Sequence, residues 1–146
     1  MKLIEKRMNL FDLPAEYTLV HCISNDCAMG AGIALKFDKE FPNMKRRLIE
    51  TIAAKRLRYP FSIMYVEAEQ RVINMVTKEK YWNKPTYNDF LDSLLDVVQL
   101  CEKYNIKKLG MPKIGCGLDK LQWEKVKEMI EDNFEDLDIE IVVCYL

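Results

Sequence analysis

Four of the five glycines in this chain fall in two G-x-G steps, Gly30-Ala31-Gly32 and Gly115-Cys116-Gly117, leaving only Gly110 elsewhere. Each step follows a short β-branched or apolar run that reads as a strand and precedes a stretch with helical spacing. Two glycine-rich strand-to-helix loops constrain the fold strongly, because strands that alternate with helices build parallel crossovers and a sheet covered by helices. A missing Cβ lets backbone take φ > 0 or approach a ligand closely, so two such loops at one sheet edge suit a diphosphate held by backbone N–H groups. Ordinary tight turning explains glycines equally well. The glycines alone leave both readings open.

The remaining elements follow from periodicity. Strand-like runs occur at Lys2 to Lys6, Tyr17 to Ile23, Phe61 to Val66, Val72 to Val76, Lys108 to Met111 and Ile139 to Tyr145. Thr86 to Tyr104 places Phe90, Leu91, Leu94, Leu95, Val98 and Cys101 on one helical face, with Thr86 and Asp89 spaced as a capping-box variant after Pro85. Gln122 to Phe134 reads as a second helix through Trp123, Val126, Met129, Ile130 and Phe134. Ala31 to Phe37 and Asn43 to Ala53 read as two shorter ones split by Pro42. The runs near Phe61 and Val76, joined by Glu67 to Arg71, predict a hairpin. The order β-β-α-α-β-β-α-β-α-β predicts an α/β fold with a six-stranded mixed sheet, and 146 residues fit a single domain spanning 1–146. Ligands in such folds sit at the carboxyl ends of strands, beside helix N-termini.

Composition excludes several function classes. No run approaches the roughly 18 apolar residues of a membrane span, and Glu5 interrupts the N-terminal apolar residues where a secretion signal needs them continuous. A cytoplasmic protein without membrane association is the expectation. Twenty-two basic against 23 acidic residues give a net charge of -1, which argues against a general electrostatic grip on nucleic acid and leaves room for a local basic patch. Five cysteines without a C-x-x-C pair and a single histidine, His21, predict neither a disulfide framework nor a metal site. His21 lies in the apolar run Leu19-Val20-His21-Cys22-Ile23, so it reads as a hydrogen-bonded residue flanking the sheet rather than as a base. Cys116 reads as a small filler and Trp123 as core. The run Lys78-Glu79-Lys80-Tyr81-Trp82-Asn83-Lys84 interleaves basic and aromatic residues; it suits a nucleic-acid strand, a cleft flank or a solvated loop.

The blocks His21-Cys22-Ile23-Ser24-Asn25-Asp26-Cys27-Ala28-Met29-Gly30-Ala31-Gly32-Ile33-Ala34, Val76-Thr77-Lys78, Lys84-Pro85-Thr86-Tyr87 and Met111-Pro112-Lys113-Ile114-Gly115-Cys116-Gly117-Leu118-Asp119-Lys120-Leu121-Gln122-Trp123 resemble a macrodomain, in order and over nearly the whole chain. Within that family they resemble the lysine-dependent branch of terminal ADP-ribose protein glycohydrolases. The resemblance implies a three-layer α/β/α sandwich that binds ADP-ribose in a crest cleft and cleaves the bond between the distal ribose and a carboxylate. It implies Lys78 as the nucleophile toward ribose C1″ and Asp119 as the acidic residue that moves protons and resolves the intermediate. It places Ser24 near the substrate, and assigns Gly30, Ala31, Gly32 and Ile33, with Ile114, Gly115, Cys116, Gly117 and Leu118, to the phosphates and distal ribose. The family's Gly-Asp before Leu-Phe, whose Asp contacts the adenine amino group, is here Met8-Asn9 before Leu10-Phe11. Asn9, followed by Leu10, keeps a carbonyl acceptor without the charge, which implies weaker binding. The Asn-rich loop and glycine run of the MacroD branch are absent.

A lysine attacks as the neutral amine, and Lys80 and Lys84 are the nearby cations that favour that form, whereas an adjacent Asp119 makes sense as a proton acceptor. The resemblance implies no cofactor or metal, and a monomer is expected. The expected partners are ADP-ribose and protein ADP-ribosylated on Glu or Asp, or O-acetyl-ADP-ribose. The alternatives are a non-catalytic ADP-ribose reader, and a hydrolase of ADP-ribose-1″-phosphate or of ADP-ribosylated nucleic acid.

Overall fold

A computed structural model describes residues 1–146. The elements run β1 (Lys2–Arg7), a 3-10 turn (Leu10–Asp12), β2 (Thr18–Ser24), α1 (Gly32–Glu40), α2 (Met44–Lys55), β3 (Phe61–Glu67), β4 (Gln70–Lys78), α3 (Tyr87–Lys103), β5 (Lys108–Met111), α4 (Trp123–Phe134) and β6 (Glu140–Tyr145). All strands join one sheet in the order β1-β6-β5-β2-β4-β3, with β3 antiparallel to β4 and every other pairing parallel.

The central strands are nearly continuous apolar runs because both their faces are covered. On one face Val20, Ile73, Met75, Met111, Ile141 and Val143 pack against Phe90, Leu94 and Val97 of α3 and Val126, Ile130 and Phe134 of α4. On the other, Leu19, Ile23, Val72, Val76 and Val142 pack against Phe37 of α1 and Met44, Leu48 and Ile52 of α2. Period-two alternation along each strand thus divides its side chains between two cores, and the result is the three-layer α/β/α sandwich.

Two details differ from the sequence reading. The buried face of α3 is Phe90, Ser93, Leu94, Val97 and Cys101, whereas Leu95 is exposed. Polar seating rotates the helix: the Ser93 hydroxyl donates to Val76 C=O at 2.9 Å, and Ser62 Oγ donates to Ser93 C=O at 2.7 Å. The hairpin turn is also tighter than expected. Glu67 pairs with Gln70, and the two turn residues, Ala68 and Glu69, both have φ > 0, the geometry that matches strand twist. At the start of α3 the Thr86 hydroxyl accepts from Asp89 N–H at 3.1 Å, as the capping spacing predicts.

The topology positions the site. The chain leaves β2 toward β4 on one side and later returns to β5 on the other, so strand order reverses at β2. At such a switch point the loops after β2, β4 and β5 diverge from one edge and leave a crevice between them.

Candidate active site

A cleft of about 880 Å³ occupies that crevice. Every site residue expected from the sequence lines it: Asn9 and Leu10 from the loop after β1, Ser24 at the end of β2, Gly30 to Ile33, Lys78 at the end of β4, and Ile114 to Asp119 after β5. The two glycine loops also meet each other, because a Cβ on Gly32 would stand 3.1 Å from Leu118 Cδ1.

The glycines of the second loop divide by role. Gly115 has φ +73°, and a Cβ there would lie 2.9 Å from both Leu121 Cδ1 and Phe90 Cε2, so the fold itself demands glycine. Around Gly117 no protein atom lies within 4 Å of such a Cβ. Its open backbone lies on the cleft wall, where a ligand can come close.

Lys78 and Asp119, 41 residues apart, meet with Nζ donating to Oδ1 at 2.5 Å, and their side chains retain only 11% and 13% of their surface. A bulge prepares this meeting. Ile23 pairs with Val76 but Ser24 pairs with Lys78, so Thr77 is an extra residue on β4. Bulges re-aim side chains next to reacting sites. Thr77 is fully buried and its hydroxyl has no partner. Lys84, one of the two cations expected near Lys78, donates from Nζ to Leu118 C=O, and Lys80 is exposed with its charge acting on Asp26. That hydrogen bond ties Lys84, which also lines the cleft, to the Leu118 loop.

At the far end, Asn9 Oδ1 accepts from Phe11 N–H at 3.0 Å and so caps the 3-10 turn. One lone pair of the expected adenine acceptor is already used. Ser24 Oγ donates to Asp26 Oδ1, an arrangement the sequence reading did not include. Phe11, Ala34, Tyr81 and Tyr145 also line the cleft without having been expected there. Tyr81 was visible in the sequence as part of an aromatic pair; Tyr145 reaches the cleft only because β6 runs parallel to β5.

A macro domain family model matches residues 20–130, which span β2 through most of α4 and include Lys78, Asp119 and both glycine loops. The chain belongs to the macrodomain family. It is 40% identical over 139 residues to ADP-ribose glycohydrolase OARD1 of Homo sapiens, covering 94% of this chain and 88% of that protein. It is 29% identical over 140 residues to DNA ADP-ribosyl glycohydrolase of Mycobacterium tuberculosis, covering 90% of this chain and 38% of that longer protein. Among solved structures, the macrodomain of Thermus aquaticus DarG superposes with a TM-score of 0.87 at 23% identity, covering 99% of this chain and 98% of that one.

In this macrodomain the other nucleophile and base candidates are chemically quiet. His21 is fully buried, stacks on Phe37 at 3.8 Å, and pairs through Nε2 with Asn74 Oδ1 at 2.6 Å. Burial pulls its pKa down to about 4, so it is neutral at pH 7 and structural. The Cys22 thiol is pushed well up by burial and by the Asp119 charge, and Cys116 up to about 11 by burial. Both stay protonated and poorly nucleophilic, and Cys116 packs as the filler the sequence suggests. Trp123 is half-buried: its ring packs against the core on the α3 and α4 side, and its indole N–H donates to Glu5 at 2.9 Å. No group of three or more His, Cys, Asp or Glu side chains is placed to hold a metal ion. Lys78 with Asp119 is the one ion pair between side chains that both line the cleft.

Proposed function

We propose that this macrodomain binds ADP-ribose in the cleft and hydrolyses the ester between the distal ribose and a carboxylate, on a protein Glu or Asp or in O-acetyl-ADP-ribose. The observation that carries the reading is the Lys78–Asp119 pair at 2.5 Å, set between two glycine loops at the strand-order switch point. A module that only reads ADP-ribose needs the loops but not this pair. The named activity of the human relative, an ADP-ribose glycohydrolase, supports the same reading.

The short contact supplies a proton path. Asp119 takes a proton from the Lys78 ammonium, and the free amine attacks C1″. The Nζ–C1″ bond forms as the C1″–O bond breaks, its electron pair leaving with the carboxylate. Water then replaces Nζ at C1″ and supplies the ribose hydroxyl, Lys78 regains its ammonium, and the proton held on Asp119 passes to solvent. The balance is ester plus water giving ADP-ribose, carboxylate and one proton. The glycine loops provide backbone N–H groups for the diphosphate, and Asn9 a neutral acceptor for adenine.

A second reading, ADP-ribosylated nucleic acid as substrate, is favoured by Tyr81 and Trp82. They are 61% and 63% exposed beside Lys80 and Lys84, and their rings lie 5.0 Å apart edge to face. Exposed aromatics among cations suit stacking on a strand. The five free cysteines support a reducing, cytoplasmic setting, and the reading takes the chain as a monomer. The test is release of ADP-ribose by the purified protein from four substrates: a Glu-linked ADP-ribosyl peptide, O-acetyl-ADP-ribose, ADP-ribose-1″-phosphate and an ADP-ribosylated oligonucleotide. Fastest turnover of the two carboxylate esters is expected. Tight ADP-ribose binding with no turnover of any of them would establish a reader instead.

A further inference from the structure

Asp26 does not line the cleft, yet it joins the loop after β2 to the chain just beyond Lys78. Its Oδ1 accepts from Ser24 Oγ and from Ala28 N–H at 3.3 Å, and its Oδ2 accepts from Tyr81 N–H at 3.3 Å. The backbone adds two further ties: Asn25 N–H donates to Lys78 C=O at 2.8 Å, and Asp26 N–H to Glu79 C=O at 3.2 Å. These contacts restart the β2–β4 ladder on the far side of the bulge, where Thr77 interrupts it. Without them Lys78 would sit at a frayed strand end, its amine on a flexible four-carbon stem.

We propose that Asp26 is a positioning residue for the reaction. Its carboxylate anchors the segment after Lys78 to the β2 loop, holds Nζ against Asp119, and engages the Ser24 hydroxyl proton so that Ser24 offers the cleft an acceptor for a ribose hydroxyl. The charge state agrees with this. Burial alone raises the Asp26 carboxyl, but hydrogen bonds from Ser24, Tyr81 N–H and Ala28 N–H, with the Lys80 charge, leave it below its ordinary value. An ionised carboxylate is acceptor-only, so the direction of the Ser24 hydrogen bond is set. A displacement of about 1 Å at a reacting group costs on the order of 100-fold in rate, which gives such an anchor its leverage.

The kinetic part of this inference rests on the hydrolase reading; the anchoring part does not. The experiment compares the wild-type chain, Asp26→Ala and Asp26→Asn in three measurements: kcat and KM on the preferred ester, calorimetric affinity for ADP-ribose, and amide hydrogen exchange. In Asp26→Ala, kcat should fall about 10- to 100-fold with ADP-ribose Kd within about threefold, and amides 79–82 should exchange at least about tenfold faster while 72–76 are unchanged. Asp26→Asn keeps an acceptor for Ser24 and Ala28 and should recover part of kcat; it also carries the test if the alanine variant fails to fold. Unchanged exchange at 79–82, or a kcat loss matched by an equal loss of ADP-ribose affinity or of folded protein, overturns the proposal. Absence of turnover in wild type would overturn the hydrolase reading, and the exchange data would still decide whether Asp26 anchors the loop.

Discussion

Replacing Lys78 by arginine separates a nucleophile from a charge. The Lys78–Asp119 contact is short and nearly enclosed, so Lys78→Ala removes the partner cation from a carboxylate that keeps only 13% of its surface exposed in the intact pair. For a fully buried pair that loss is about 3–5 kcal/mol; the remaining solvent access of a cleft wall reduces it to roughly 2 kcal/mol. Arginine restores the cation and presents a planar fork to the carboxylate, so Lys78→Arg should unfold within about 1 kcal/mol of wild type. Arginine cannot give up its proton, however, and so cannot attack C1″. Both variants should lose at least about 1000-fold in single-turnover rate, about 4 kcal/mol of barrier, while ADP-ribose Kd stays within a few-fold. The assay is ADP-ribose release from the ester under single-turnover conditions, with unfolding measured by urea titration on the same samples. If Lys78→Arg retains more than about a tenth of the wild-type rate while Lys78→Ala does not, the covalent route is refuted and Lys78 acts by charge stabilisation alone.

Three further outcomes are expected. Gly115→Ala places a Cβ 2.9 Å from Leu121 and Phe90 at positive φ and should cost about 2–4 kcal/mol of stability, whereas Gly117→Ala, with open space around it, should change melting little and weaken ADP-ribose about tenfold; equal melting losses would contradict the division of roles. Asn9→Asp keeps the cap on Phe11 N–H and adds charge, so calorimetry should show ADP-ribose binding tightened about 3- to 10-fold, and unchanged affinity would place the adenine elsewhere. His21 has a folded pKa of about 4 against an ordinary 6.5, so the unfolded chain binds the extra proton between those values. Its contribution is complete above pH 6.5 and is lost as pH falls toward 4, about 3 kcal/mol in all, and urea titrations of His21→Gln should lack that slope.

Much of the architecture was legible along the chain because it is local chemistry. Period-two and helical spacing locate all six strands and four helices, and Thr86 and Asp89 mark a cap that forms as spaced. The helix face was less legible: Leu91 and Leu95 fit the apolar stripe of α3, but two hydrogen bonds at Ser93 and Ser62 rotate the helix, and a hydroxyl's partner cannot be read from its own position. The residues of the cleft were legible as motifs, whereas their contacts were not. Lys84 holds Leu118 C=O, and Ser24 turns toward Asp26.

The alternation of strands and helices, the two glycine loops and the inventory of chemistry are local properties of the chain, since each depends on residues within a few positions of one another. The meeting of a lysine that ends β4 with an aspartate 41 residues later is instead a product of how the strands assemble. That contact depends on β5 crossing to the far side of β2, which brings the carboxyl ends of β2, β4 and β5 to one edge, and on the Thr77 bulge that sets Lys78 opposite Ser24. Strand order and register are selected by the packing of whole faces, Val72 and Val76 against α1 and α2, Ile73 and Met75 against α3 and α4, and no single segment contains that choice.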